Sequence, residues 1–404
     1  MKYGLITFQN TENIGDDIQS YAAIRFLPKI DYYIEREKLD LFIPEKKEKV
    51  LTITNGWFLH SKINFPISPY IYPIYISTHF SAYNSGGIKD EYLNSYTREK
   101  LNEYGPIGCR DTGTIKLLEK NSINSYFSGC LTLTIEKDKK LKKEDYICIV
   151  DIDKEAEEYL KNNISSSTKI IKKTHQLNAS ENKLLPWEQR FKNVKELLDI
   201  YQKAKLVITS RLHCALPCLA LETPVLLLYD EDKMYTKDRL SDYAKMVNSM
   251  STKEFLNSGI EKINSNTTNP KEYLKIRENV IDKVNKLIKE AEKSIRLKAE
   301  ELPDIKHYQQ LYIEPKKNID YLYKVATDRM YIDSRNYTKL SYEKSYWEKE
   351  WHILLEESNP ERVKTYKDEL NYILEKYEEV CMENKILHEK LEKYKNKKGK
   401  RKYE

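Results

Sequence analysis

Residues 206–228 read LVITSRLHCALPCLALETPVLLL, and the rest of the chain can be organised around them. Leu206-Val207-Ile208-Thr209 is a short, apolar, β-branched run of the kind that a parallel strand buried on both faces requires. Ser210 is placed to cap a helix carrying Ala215 to Glu222, and Thr223-Pro224 ends that helix before a second apolar run, Val225 to Leu228. The unit is strand, turn, helix, turn, strand. At its first turn stand two polar side chains, Arg211 and His213. Ligands of open α/β sheets bind beyond the carboxyl ends of the strands, where a helix N-terminus favours an anion. A guanidinium beside an imidazole at such a turn predicts a phosphate or carboxylate site next to a proton donor.

The same alternation runs outward from this unit. Tyr3 to Phe8 reads as a strand. It leads through Gln9–Asp17 into a helix with apolar Ile18, Tyr21, Ala22 and Phe26. Val50–Thr54, Ile71–Ser77 and the short step before Arg110 read as further strands, with a helix over Thr112–Lys120 and another extended piece at Ser125–Phe127. A Lys-rich linker, Glu136 to Asp145, precedes a second series: a strand at Tyr146–Val150, a helix at Lys154–Asn162, a strand at Lys169–Lys172 and a helix at Arg190–Lys205. Strands alternating with helices of this length predict an α/β fold with parallel sheets. The expected architecture is two Rossmann-like domains, 1–140 and 141–260, facing across a cleft.

From about Ser251 the chain turns helical and polar, giving an expected helical extension over 261–360 and a coiled coil over 361–404. Val363, Leu370, Tyr377, Asn384 and Leu391 fall seven apart, and Tyr366, Ile373, Val380, Leu387 and Tyr394 interleave as d positions. An Asn at an a position sets register and favours a homodimer; a single amphipathic helix packed on the body is the plainer alternative. The basic run Lys393–Lys402 allows at most peripheral contact with an anionic membrane surface, worth roughly 1 kcal/mol per charge.

Composition excludes more than it assigns. Lys+Arg number 69 against Asp+Glu 63, a net charge of +6 over 404 residues, which gives no reason to expect nucleic acid. Mean hydropathy is −0.72, and no apolar run is long enough to span a membrane. The six cysteines form no paired framework, and Cys214 and Cys218, set among Leu and Ala, read as core thiols. No HExxH or paired-cysteine spacing argues for a metal. With no leader-like opening, the expected location is the cytoplasm or the inner face of the membrane.

Other polar residues share the strand-end placement of Arg211. Asn13, Gly15, Asp16 and Asp17 form the first strand-to-helix turn. One glycine is no dinucleotide fingerprint, and carboxylates in a first helical turn stabilise the helix dipole by roughly 0.3–1 kcal/mol each. Alternatively, two acids there can accept protons from hydroxyls. Arg110 precedes a helix in the same way, with an ion pair to Asp111 as its plain reading, and His60 and His79 each end an apolar segment.

Taken in order, Asn13-x-Gly15-Asp16-Asp17, Gly108-Cys109-Arg110-Asp111 and Ser210-Arg211-Leu212-His213 with Ala220 and Pro224 resemble the polysaccharide pyruvyl transferase family over roughly residues 1–260. The resemblance implies a two-domain fold similar to that of GT-B glycosyltransferases. It also implies transfer of a pyruvyl group from phosphoenolpyruvate onto two hydroxyls of a sugar, giving a ketal and phosphate. By that similarity Arg110, Arg211, Leu212 and His213 hold the donor's phosphate and carboxylate, with His213 as acid–base group and Ser210 beside them. Asp16 is then expected to serve the acceptor, and Asn13, Gly15, Asp17, His60 and His79 to line the site. Phosphoenolpyruvate is a substrate, so no cofactor is expected; the partner is a glycan acceptor, free or lipid-linked. A nucleotide-sugar glycosyltransferase on the same fold is one rival, although Glu231–Arg239 lacks the E-x7-E acid pair. A non-enzymatic scaffold for polysaccharide assembly, working through the coiled coil, is the other.

Overall fold

The apolar runs of the first half become a wholly parallel six-stranded sheet in the computed structural model. β1 (Lys2–Thr7), β2 (Tyr32–Glu35), β3 (Val50–Phe58), β4 (Ile71–Phe80), β5 (Ile107–Cys109) and β6 (Ser125–Phe127) lie in the order β2-β1-β3-β4-β5-β6. A second parallel sheet holds β7 (Tyr146–Val150), β8 (Lys169–Lys173), β9 (Leu206–Thr209), β10 (Val225–Tyr229) and β11 (Asn248–Ser251) in the order β11-β10-β9-β7-β8. The structure describes residues 1–58, 67–80, 93, 95–230, 242–243, 246–264, 268–297, 302–314, 317 and 382.

The central strands β7 and β9 are buried along their whole length, as parallel strands covered by helices must be. The covering helices are α1 (Ile14–Ile24), α2 (Ser95–Glu103), α3 (Thr112–Lys120), α4 (Lys154–Asn163), α5 (Ala179–Asn182), α6 (Trp187–Lys203), α7 (Leu212–Ala220), α8 (Thr252–Asn264) and α9 (Glu272–Leu297). Strand order reverses direction at two places. In the first sheet β2 and β3 lie on opposite sides of β1, and in the second β8 and β9 lie on opposite sides of β7. The carboxyl ends at these two reversals are where such sheets bind ligands.

The break between the sheets falls between Phe127 and Tyr146, and the two halves share an apolar core. One apolar cluster runs from Leu5, Ile53 and Ile76 of the first sheet to Cys148, Val207 and Leu227 of the second. The chain divides instead into a compact unit of Met1–Lys89 with Thr97–Leu302, which contains both sheets, and a second unit of Asp90–Tyr96 with Pro303–Glu404. The polar helices after Ser251 serve both halves. α8 packs against α4 of the second sheet, whereas α9 lies along β4 and the turn Leu131–Thr134 of the first. Arg277 of α9 donates to the carbonyls of Ala220, at 2.9 Å, and Ile135, at 3.3 Å, so it bonds to both halves.

In the second unit Asp304 caps a short helix, Ile305–Tyr308, through the amides of Lys306 and His307. The heptad positions Val363–Tyr394, the basic tail and the homodimer they predict lie outside the described residues, as do His60 and Glu231–Arg239. No helix among the described residues is long and apolar enough to cross a membrane.

Candidate active site

The first strand-to-helix turn closes on itself and then on the second sheet. Asn13 is the N-cap of α1, its side-chain oxygen accepting from the amide of Gly15 at 2.9 Å. Asp16 accepts from Thr11 Oγ1 at 2.7 Å and from Gln19 Nε2 at 3.1 Å, so both its oxygens are engaged. The loop after β8 carries the turn: Ile14 N donates to His175 O, Leu177 N to Glu12 O, and Asn13 and Gln176 form an antiparallel bridge. Gly15 packs closely against the second half. A Cβ there would stand 2.9 Å from Asn13 Oδ1, 3.2 Å from His213 Cβ and 3.4 Å from His175 Nδ1. Gly15→Ala is therefore expected to push α1 off α7 at a cost of about 1–3 kcal/mol, seen as a lower melting temperature. An unchanged melting temperature would show that the turn has slack.

Arg110 follows β5 directly, and its side chain is buried rather than on the surface. Its Nη1 donates to Gln19 Oε1 at 2.6 Å and lies 3.4 Å from His213 Nε2. A guanidinium only donates, so in this contact the imidazole nitrogen accepts and the ring's proton belongs on Nδ1. Asp111 is 3.9 Å from Arg110 Nε but works chiefly elsewhere. Its Oδ1 caps α3 through the amide of Thr114 at 2.8 Å, and its Oδ2 meets His79 Nδ1 at 2.6 Å. Burial pushes the Asp111 carboxyl up, but the His79 hydrogen bond and the charges of His79 and Arg110 hold it below the usual carboxylate range. Being ionised, it accepts from Nδ1–H of His79, whose ring sits edge-on to Trp57.

The Leu206–Leu228 unit supplies the remaining groups, with one change to its reading. Ser210 does not cap the helix; its hydroxyl donates to the carbonyl of Asp151. The N-cap is Arg211, with extended backbone and no capping side chain, and α7 runs from Leu212 to Ala220 with Pro217 inside it. Leu212 is buried in the shared core, so only its backbone can face a ligand. Cys214 and Cys218 are fully buried, as their apolar neighbours predict. Arg211 Nε donates to Asp151 Oδ2 at 2.8 Å, while its side chain keeps 35% of its surface exposed.

Asp17 stands apart from this group. Arg190 grips its carboxylate with Nε at 3.0 Å and Nη2 at 2.5 Å, donates again to the carbonyls of Phe8 and Gln9, and lies over the Trp187 ring. Both side chains are almost wholly buried. Burial pushes the Asp17 carboxyl up to about 6 against the pull of Arg190. The expected ligand contact is thus a buried ion pair joining α1 of the first sheet to α6 of the second.

Arg110, His213, Gly15 and Asp16 come together at the carboxyl ends of the two sheets, whereas Asp17 is spent inside the fold. Gln19 and Asp151, absent from the sequence reading, prove central. Gln19 is buried and links Asp16 to Arg110, at the i, i+3 spacing that lets it reach Asp16. Asp151 directly follows β7, a strand-end position equivalent to that of Arg110, and could have been found by that signal. Among the described residues no group of His, Cys, Asp and Glu is arranged to hold a metal.

A family model described as polysaccharide pyruvyl transferase matches residues 13–232, more than half of the chain. None of the curated proteins matches. Solved structures give distant likenesses, all at 12% identity. One is an uncharacterised protein of Klebsiella pneumoniae, with TM-score 0.39, covering 60% of this chain and 88% of its own. Another is the UDP-GlcNAc 2-epimerase of Methanocaldococcus jannaschii, with TM-score 0.34, covering 66% and 92%. A third is the E. coli heptosyltransferase WaaC, with TM-score 0.25, covering 66% and 100%. The matched span begins at the α1 cap, takes in Arg110 and closes beyond β10, so it encloses Asn13, Gly15, Asp16, Gln19, Arg110, Asp151, Arg211 and His213. The chain belongs to the polysaccharide pyruvyl transferase family.

Proposed function

We propose that the chain transfers the pyruvyl group of phosphoenolpyruvate onto two hydroxyls of a sugar in a cell-surface polysaccharide or its precursor, forming a ketal and releasing phosphate. One observation carries the reading. Two arginines from different sheets flank one histidine: Arg110 Nη1 lies 3.4 Å from His213 Nε2, and Arg211 is two residues before that histidine at the helix N-terminus. Phosphoenolpyruvate packs a phosphate and a carboxylate into a small volume, and planar guanidinium forks match both.

The chemistry is written with its protons. A proton delivered to the enol methylene carbon makes the adjacent carbon oxocarbenium-like. One sugar hydroxyl attacks that carbon, the C–O bond to phosphate breaks, and the second hydroxyl closes the ketal. Of the two hydroxyl protons released, one replaces the proton given to carbon and the other leaves with phosphate. His213 is assigned the proton to carbon, given from Nδ1, where the Arg110 contact at Nε2 leaves the ring's proton. Asp16 is assigned to orient the acceptor hydroxyl, with Asn13 and His79 lining that side. The acceptor itself is a vicinal or 1,3-related diol on a glycan, free or lipid-linked, and no cofactor enters the scheme.

The test is phosphate release from phosphoenolpyruvate with candidate glycans, run beside labelled nucleotide sugars. Release that depends on both glycan and phosphoenolpyruvate is expected, with label from the pyruvyl group in the glycan. Transfer from a nucleotide sugar instead would replace this reading with glycosyl transfer on the same site. Failure to transfer from either donor, with a phenotype confined to the helical region after residue 300, would favour a scaffold.

A further inference from the structure

Arg211 is held from one side only. Its Nε donates to Asp151, and among the described residues neither Nη has a hydrogen-bond or ion-pair partner. A guanidinium bonded through Nε keeps its two-pronged Nη end for an anion. The carboxylate that holds it has an unusual seat. Asp151 is the first residue beyond β7, at the point where β8 and β9 diverge to either side, and its φ is +50°. A left-handed backbone at a residue other than glycine persists only where its surroundings over-determine it.

Those surroundings are explicit. The carbonyl of Asp151 accepts from the Ser210 hydroxyl, and Oδ2, besides Arg211, accepts from the amide of His175 at 2.9 Å. Burial pushes the carboxyl up, but hydrogen bonds from Thr174, the His175 amide and Arg211 hold it below the ordinary range, so it is an anion at neutral pH. The same residue, His175, whose amide donates to Asp151, offers its carbonyl to Ile14 N, the first amide of α1. One carboxylate oxygen thus touches the arginine on one side and, through the backbone of a single residue, His175, the Asn13–Gly15 turn on the other.

We propose that Asp151 is a positioning residue for the donor anion: it aims the Nη end of Arg211 and, through the backbone of His175, sets the spacing between that end and the Asn13–Gly15 turn. The proposal rests on the pyruvyl-transfer reading for its substrate, though not for its geometry. Binding a small anion through a fork needs the fork's plane fixed before the anion arrives, because an exposed arginine otherwise loses rotamer freedom on binding. The hydroxyl of Ser210, from the residue before Arg211, ties the same backbone to Asp151.

The test uses variants that spare the backbone. Asp151→Gly removes the carboxylate where glycine takes a left-handed φ without strain, and Asp151→Asn keeps an acceptor and tolerates that conformation. In the phosphate-release assay Asp151→Gly is expected to raise KM for phosphoenolpyruvate tenfold or more, with KM for the glycan within twofold. Asp151→Asn is expected to recover most of that loss. In an Arg211→Ala background, Asp151→Gly should have no further effect on KM for phosphoenolpyruvate, since the two act as one unit. Equal effects with and without Arg211, or a fall in kcat with both KM values raised alike, would make Asp151 a structural strut and overturn the proposal. Should the wild-type chain turn over no phosphoenolpyruvate, the reading of function fails on its own. Calorimetric binding of inorganic phosphate to wild type, Asp151→Gly, Arg211→Ala and the double variant then decides: the non-additivity must persist, and a wild type that binds no phosphate refutes the fork.

Discussion

Replacing Arg190 by methionine is expected to destabilise the chain by about 3–5 kcal/mol, a fall in melting temperature on the order of 10 °C. The loss comes less from the attraction removed than from what remains: the Asp17 carboxylate, 2% exposed, with its guanidinium gone. Such a loss is a large share of the 5–15 kcal/mol that holds a typical domain together. The carbonyls of Phe8 and Gln9 lose donors in the same substitution. The double variant Asp17→Asn/Arg190→Met should recover much of the stability, because no buried charge is left.

A pH series sharpens the test. Asp17 already titrates near 6 in the folded chain, above its ordinary value of 3.8, so folding takes up a proton between those values. Its contribution to stability is therefore fully present below about pH 4 and is lost as pH rises through 6. Without Arg190 the folded value climbs further, and Arg190→Met should be rescued by acid more strongly than the wild type. A variant equally destabilised at pH 5 and pH 8 would show that the ion pair is not the cause.

Arg110→Ala is expected to cut kcat/KM for phosphoenolpyruvate by 2–5 kcal/mol, roughly 30- to 5,000-fold, while the chain stays folded. Three things go at once: the proposed phosphate contact, the partner of Gln19 Oε1 and the cation facing His213 Nε2. Arg110→Lys should not rescue it, since a point charge cannot hold Gln19 and an anion together as a planar fork does. Activity within twofold of wild type, with unchanged melting, would remove Arg110 from the donor site.

The pattern of what the sequence revealed follows physical range. Central strands such as Tyr146–Val150 and helix Thr112–Lys120 are legible because burial on both faces, or a cap with a period of 3.6, is written locally. Two of the four edge strands are not. Tyr32–Glu35 and Asn248–Ser251 keep only one fully buried residue each, so neither has an apolar run to announce it. Arg211, His213, Arg110 and Gly15 were visible because each sits where a strand hands over to a helix. Asp17 sits there too, and local reasoning about the helix dipole could not see a partner 173 residues away. Gln19 was missed for the opposite reason: midway along an amphipathic helix, a glutamine reads as surface, and only the packing of two sheets buries it. The linker's composition marks the gap between the sheets but says nothing of the apolar cluster that bridges it.

That bridging limits how such a chain can be recombined. α9 lies along the first sheet though it is encoded after the second, and Arg277 bonds carbonyls on both sides of the gap. A chimera cut in the linker, taking the first-sheet half from one relative, would inherit a foreign Asp17, Tyr3 and Ile135 beneath the original Arg190, Glu292 and Arg277. Exchange of the first-sheet half between relatives must therefore proceed by cassettes that include residues 272–297, or by replacing single loops at strand ends.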